Sequence, residues 1–224
     1  MRVHVETRGS GRPVVFTHGI GATRHTFDSV AADLSADHTV ITWDLPGHGD
    51  SEVFADRAAY ERDRVLEDLD DIVAGCHESP ILAGHSLGGY LTLAWAVSRP
   101  GRAAALAIMA TGPGFRDAEK RQAWNDRSER NAHRFGVAPQ AAEMNLQHDA
   151  SVIEGLADID LPVALLVGDA DNAQLIGGMQ YLEAKLAHAT LDVVAGGDHA
   201  MHEGEHAATV AAAIRGLDTR IEAT

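Results

Sequence analysis

Short apolar runs at residues 3–5, 13–17, 39–43, 80–83, 105–109, 163–167 and 191–194 alternate with longer stretches of helical spacing. Several of the runs are nearly continuous in Val, Ile, Leu and Ala. That is the pattern of a strand covered on both faces, because a strand with one wet face alternates apolar and polar residues. Between the runs, Phe27, Val30, Ala31 and Leu34 mark one helix, and Val65, Leu66, Leu69, Ile72 and Val73 mark another. Further helices are expected over residues 87–97, 182–187 and 207–217. Strand alternating with helix predicts an α/β fold, with a mostly parallel sheet flanked by helices.

One stretch breaks the alternation. Residues 112–158 carry no strand signal and are polar and helix-prone, with Phe115, Trp124, Phe135 and Met144 as the larger apolar groups. They predict a short helical cap inserted in a single domain spanning residues 1–224, placed where loops at the sheet edge commonly carry function.

Composition narrows the function classes. With 18 Lys+Arg against 33 Asp+Glu, the formal charge is −15. Such a chain repels phosphate backbones and has no basic patch for an anionic membrane, so neither nucleic acid nor membrane is expected as a partner. The single cysteine, Cys76, cannot close an intrachain disulfide. Together with an N-terminal stretch lacking an apolar core of signal-peptide type, this predicts a cytoplasmic protein. Cys76 reads as a buried thiol and the acidic run Glu67-Asp68-Leu69-Asp70-Asp71 as a solvated helix face. No coiled-coil heptad speaks to oligomeric state.

The chemistry concentrates at the ends of the strand candidates. Gly84-His85-Ser86-Leu87-Gly88 follows the run at 80–83 and precedes a helix. This is G-x-S-x-G between strand and helix, a sharp turn that lifts a serine hydroxyl clear of the backbone and aims a helix N-terminus at it. A serine nucleophile needs a base, and the base an orienting acid. Gly168-Asp169-Ala170-Asp171 ends a later strand in two acids, either of which could serve, and Gly197-Asp198-His199 follows the last strand with a histidine. Early in the chain, His18-Gly19-Ile20-Gly21 makes a glycine-rich turn in which backbone N–H groups can approach an oxyanion.

With Asp44-Leu45-Pro46-Gly47-His48-Gly49-Asp50-Ser51, these motifs resemble those of the α/β-hydrolase superfamily, in the style of its small lid-bearing serine esterases and C–C hydrolases. They span residues 16–199. Carried over position by position, the resemblance implies Ser86 as nucleophile, His199 as general base and Asp171 as the orienting acid. It implies the amides of Ile20 and Leu87 as oxyanion donors. The stretch from Asp44 to Ser51 would be architectural. A small-molecule carboxylic ester, lactone or thioester is the substrate implied, with no cofactor. C–C cleavage of a vinylogous diketone, or a non-hydrolytic cyclase or receptor, are the alternatives.

Other histidines compete for attention. His18 and His85 flank the proposed site and are candidates for substrate contact, with structural hydrogen bonding as the other reading. His202-Glu203-Gly204-Glu205-His206 spells H-E-x-x-H, a zinc-protease signature. That motif needs a helix presenting both imidazoles on one face, and Gly204 weakens a helix there. No metal site is therefore expected.

Overall fold

The computed structural model describes residues 2–223. The apolar runs become strands of one sheet: β1 (Val5–Gly9), β2 (Arg12–Thr17), β3 (His38–Trp43), β4 (Ile81–His85), β5 (Ala105–Met109), β6 (Val163–Gly168) and β7 (Ala189–Val194). Their order is β1-β3-β2-β4-β5-β6-β7, and every pairing is parallel except β1 with β3. The first run is displaced from its expected position at 3–5. Val3 is buried but lies before the strand, and the ladder to β3 runs from Val5 opposite Trp43 to Gly9 opposite Thr39. An edge strand has one neighbour and needs no continuous apolar run, so Glu6, Thr7 and Arg8 serve.

Strand side chains alternate between two cores. Val15, Ile41, Leu82, Leu106 and Leu165 pack on one face against α2 (Arg62–Ala74), α3 (Leu87–Ser98) and α6 (Ala173–Lys185). Val14, Phe16, Val40, Ile81, Ala107 and Leu166 pack on the other, against α1 (Asp28–Leu34) and α7 (Ala207–Glu222). α3 is buried from Leu87 to Ala96, and so is apolar nearly all round.

Two acids of the run at 67–71 are held by partners distant in sequence. Asp68 is buried and accepts two hydrogen bonds from Arg2, and Asp70 accepts from Trp95, Arg99 and Arg102. Partners distant in sequence convert these positions of a charged face into anchors.

Between β5 and β6 the chain is helical. It runs through α4 (Ala118–Asn131), tight turns at Ala132–Phe135 and Pro139–Asn145, α5 (Ser151–Glu154) and a turn at Gly155–Asp158. Two arginines staple this segment to the rest. Arg62 makes a bidentate pair with Asp149 at 3.0 and 2.8 Å, and Arg57 binds both Glu129 and Glu143.

Candidate active site

Parallel strands deliver their C-terminal ends to one edge, and four of those ends build the site. β4 runs through His85 into Ser86, whose backbone adopts φ 53°, ψ −117° before α3 begins at Leu87. A non-glycine residue at positive φ costs of order 1–3 kcal/mol and persists only where its surroundings enforce it. Here they do. A Cβ at Gly88 would stand 2.0 Å from the Thr17 carbonyl, so only glycine lets α3 press this closely on β2. The helix N-terminus therefore starts at the serine, and its positive end faces the site.

β6 and β7 bring the acid and the histidine together in the same way. A Cβ at Gly168 would stand 1.9 Å from the Gly197 carbonyl, so the two strand ends meet backbone to backbone. Beyond that contact, the Asp171 carboxylate accepts a hydrogen bond from His199 Nδ1 at 3.0 Å. The Asp171 side chain is 3% exposed and that of His199 45% exposed. The acid is thus sealed behind an imidazole that presents itself outward. Asp171 also accepts from the Asn172 amide at 2.6 Å. Asp169 is spent elsewhere, accepting from the Gly196 amide at 2.8 Å.

The turn after β2 is held by two imidazoles. His18 Nδ1–H donates to the Gly19 carbonyl at 2.7 Å, and its Nε2 accepts from the Leu45 amide at 3.0 Å. His48 Nδ1–H donates to the Pro46 carbonyl at 3.0 Å, and its Nε2 accepts from the Gly21 amide at 3.1 Å. Burial, followed by the neighbouring His48, pushes His18 down to about 4, so it stays neutral in this double role. The turn sits on the serine: a Cβ at Gly19 would lie 3.2 Å from the Ser86 Cβ. Among the described residues, neither the Ile20 nor the Leu87 amide donates to a backbone carbonyl.

His18 and His85 both hydrogen-bond to backbone, as the structural reading of these residues expects. His18 is fully buried with both nitrogens committed to backbone. His85 is buried, and its Nε2–H donates to the His199 carbonyl at 2.7 Å. It holds the loop bearing His199. Its pKa is driven down by burial first, then by His202 and His199, so the ring stays neutral. His202 stacks on His85 with ring centroids 4.0 Å apart, and its Nε2 hydrogen-bonds Thr26 Oγ1 at 2.7 Å. Gly204 has φ 64°, and Gly204–His206 forms only a tight turn before α7. The H-E-x-x-H letters thus do not form one helix, and His202 and His206 do not share the ligating face that a zinc site of that type requires.

The Asp44 turn is architectural and strongly anchored. Buried Asp44 accepts from the amides of Arg24 and Asp50 at 2.7 and 3.0 Å and from the Arg24 guanidinium at 2.5 Å. Burial pushes its carboxyl up, but these amides and Arg24 outweigh burial and hold it below the usual range.

A cavity opens beside Ser86 and Leu87, lined also by Tyr90, Trp124, Gln147 and Gln174. None of these last four stood out as a site residue in the sequence. Trp124 was legible only as a large apolar group in a polar insertion, and the glutamines carry no motif.

The sequence profile of the alpha/beta hydrolase family matches residues 14–213. The chain belongs to this family. Its solved structural neighbours include MenH from S. aureus, with TM-score 0.85 and 17% identity over 98% of this chain and 99% of that one. A thermophilic esterase from Thermogutta terrifontis has TM-score 0.82 and 20% identity over 98% and 93%. At these identities the likeness is one of alpha/beta hydrolase fold. In sequence, a pimeloyl-[acyl-carrier protein] methyl ester esterase of Chromobacterium violaceum is 36% identical over 116 residues, 51% of this chain and 43% of that protein. The (E)-2-((N-methylformamido)methylene)succinate hydrolase of Acinetobacter baylyi is 32% identical over 111 residues, 47% of this chain and 40% of that one. The chain thus spans less than half the length of these two curated relatives. No helix among the described residues is long and apolar enough to cross a membrane.

Proposed function

We propose that this alpha/beta hydrolase is a serine hydrolase that cleaves small-molecule carboxylic esters through an acyl-enzyme. The observation that carries this reading is the Asp171–His199 hydrogen bond at 3.0 Å, set at the same sheet edge as a serine held at φ 53°. An Asp-bound Nδ1–H leaves His199 Nε2 as the free base, the tautomer needed to take a proton from a hydroxyl. In the first step Ser86 Oγ attacks the ester carbonyl carbon as His199 removes its proton. The resulting oxyanion accepts hydrogen bonds from the Ile20 and Leu87 amides, aided by the positive end of α3. His199 then gives its proton to the departing alcohol as the C–O bond breaks. Water, deprotonated by His199, attacks the acyl group on Ser86 and releases the carboxylic acid.

The esterase among the sequence relatives supports ester chemistry, though it is matched over only part of its length. The residues from 112 to 158 act in this reading as a lid over the acyl site. Hydrolysis of 4-nitrophenyl esters of short linear acids tests the proposal. Wild type is expected to turn them over, unaffected by a metal chelator, and Ser86→Ala to fall by at least a thousandfold. Undiminished turnover by the alanine variant would refute it.

A further inference from the structure

The cations of this acidic chain are spent unevenly. Outside residues 116–134, Arg2, Arg24, Arg57, Arg62, Arg99 and Arg215 are among those bound to carboxylates. Within 116–134 six cations face four acids, a local charge of +2 in a chain of −15. Among the described residues none of these six makes a salt bridge, although carboxylates are plentiful. Arg121 is turned onto the carbonyls of Phe115 and Arg116, and Arg127 lies over the Trp124 ring at 4.9 Å. Three of the four acids of the segment have partners other than these cations' charged groups: Asp117 caps the Lys120 amide at 2.9 Å, Asp126 accepts from Gln122 at 2.7 Å, and Glu129 binds Arg57 at 2.6 Å.

Three of these six cations line hollows that share walls with the Ser86 cavity. Phe115 and Gln174 line that cavity and both of its neighbouring hollows. Arg116 and Lys120 line one hollow, and Lys120 and Arg127 line the other. Lys120 thus stands at both mouths. Asp117 is the one carboxylate lining either hollow, and it is directed to backbone. Cations left unpaired at a cavity mouth in an otherwise acidic molecule create a local positive potential that attracts and orients an anion.

We infer that the substrate carries an anionic group, a carboxylate or phosphate, on the part that extends from Ser86 past Phe115 and Gln174 to Arg116, Lys120 and Arg127. This rests on the esterase reading for what happens at Ser86, but not for what binds at the mouth. Two arms separate the readings. The first compares the mono-4-nitrophenyl ester of glutaric acid with 4-nitrophenyl pentanoate, a neutral ester of the same chain length. Wild type is expected to favour the charged ester by at least tenfold in kcat/KM. The preference should collapse to near parity in the Arg116→Gln/Lys120→Gln double variant and shrink when salt is raised. The Arg130→Gln/Arg134→Gln double variant removes the same number of charges from this segment but outside the cavity and hollow linings; it controls for net charge and should keep the preference. Equal rates for the two esters in wild type would overturn the inference while leaving the esterase reading intact.

The second arm needs no turnover. Trp43 and Trp95 are fully buried, so Trp124 is the tryptophan open to a ligand. Glutarate and inorganic phosphate are titrated against tryptophan fluorescence. Saturable change in wild type, lost in the double variant, supports the anion site even if no ester is cleaved, in which case the esterase reading alone fails. The anion that saturates names its source. No saturable change with either, and no preference for the charged ester, would sink the inference.

Discussion

At the scale of single residues, the site depends on which of two neighbouring acids meets the imidazole. Sequence spacing leaves Asp169 and Asp171 as rivals, and only the third dimension separates them. Asp171 is sealed behind His199, while Asp169 ties down Gly196. Asp171→Asn should lower kcat about ten-thousandfold, because the amide favours the wrong imidazole tautomer. Asp169→Asn should change kcat by less than about fivefold, since it removes only an exposed loop contact. Steady-state kinetics on the two variants checks this, and a reversed ranking would reassign the acid. His18 and His85 show what residue type alone leaves open. A histidine flanking a nucleophile reads as a ligand contact or a structural post until burial is known. Here one holds a turn and the other holds the His199 carbonyl.

At the scale of elements, the interior strands were legible because burial on both faces writes an unbroken apolar run. β1 lies beyond the apolar run at 3–5 because an edge strand carries no such signature. The Gly-x-Ser-x-Gly turn was legible because its geometry tolerates so few residues, as the 2.0 Å approach at Gly88 shows. The cavity lining was not, because it depends on how residues 112–158 fold back over the sheet edge. Arg24 is the clearest structural anchor, joining Glu6 on β1 to Asp44 after β3. Arg24→Met would strand the buried Asp44 charge and should cost about 3–5 kcal/mol, read from urea unfolding. A loss below about 1 kcal/mol would show that Asp44 is protonated or solvated instead. At the cap, Arg62→Ala removes the bidentate hold on Asp149. Limited proteolysis should then cut within residues 112–158 faster than in wild type, by several-fold, as local opening becomes easier. Unchanged cleavage would mean that Arg57 and packing suffice.

At the scale of the whole molecule, buried neutral histidines set the acid limit of stability. Burial pushes His18 and His202 down to about 4. In the unfolded chain each titrates near 6.5, so between pH 6.5 and 4 the unfolded state binds more protons than the native one. Stability must therefore fall as pH drops through that window, by about 3 kcal/mol for each ring at the acid end. The buried Asp44 carboxyl, held below its usual range, adds to the loss at lower pH. Urea midpoints measured from pH 7 to pH 4 should decline steadily, and a flat profile would contradict the neutral assignment of both rings. Sheet, histidine posts and glycine contacts bring residues 20, 86, 171 and 199, far apart in sequence, to one edge.

Ester cleavage through an acyl-enzyme requires Ser86 to be an activated nucleophile. The direct test is intact mass after exposure to a fluorophosphonate, with Ser86→Ala treated alongside. One adduct on the wild type, mapped by peptide sequencing to Ser86 and absent from the variant, is the predicted result. A folded wild type that stays unmodified, or an adduct that persists in Ser86→Ala, would contradict it.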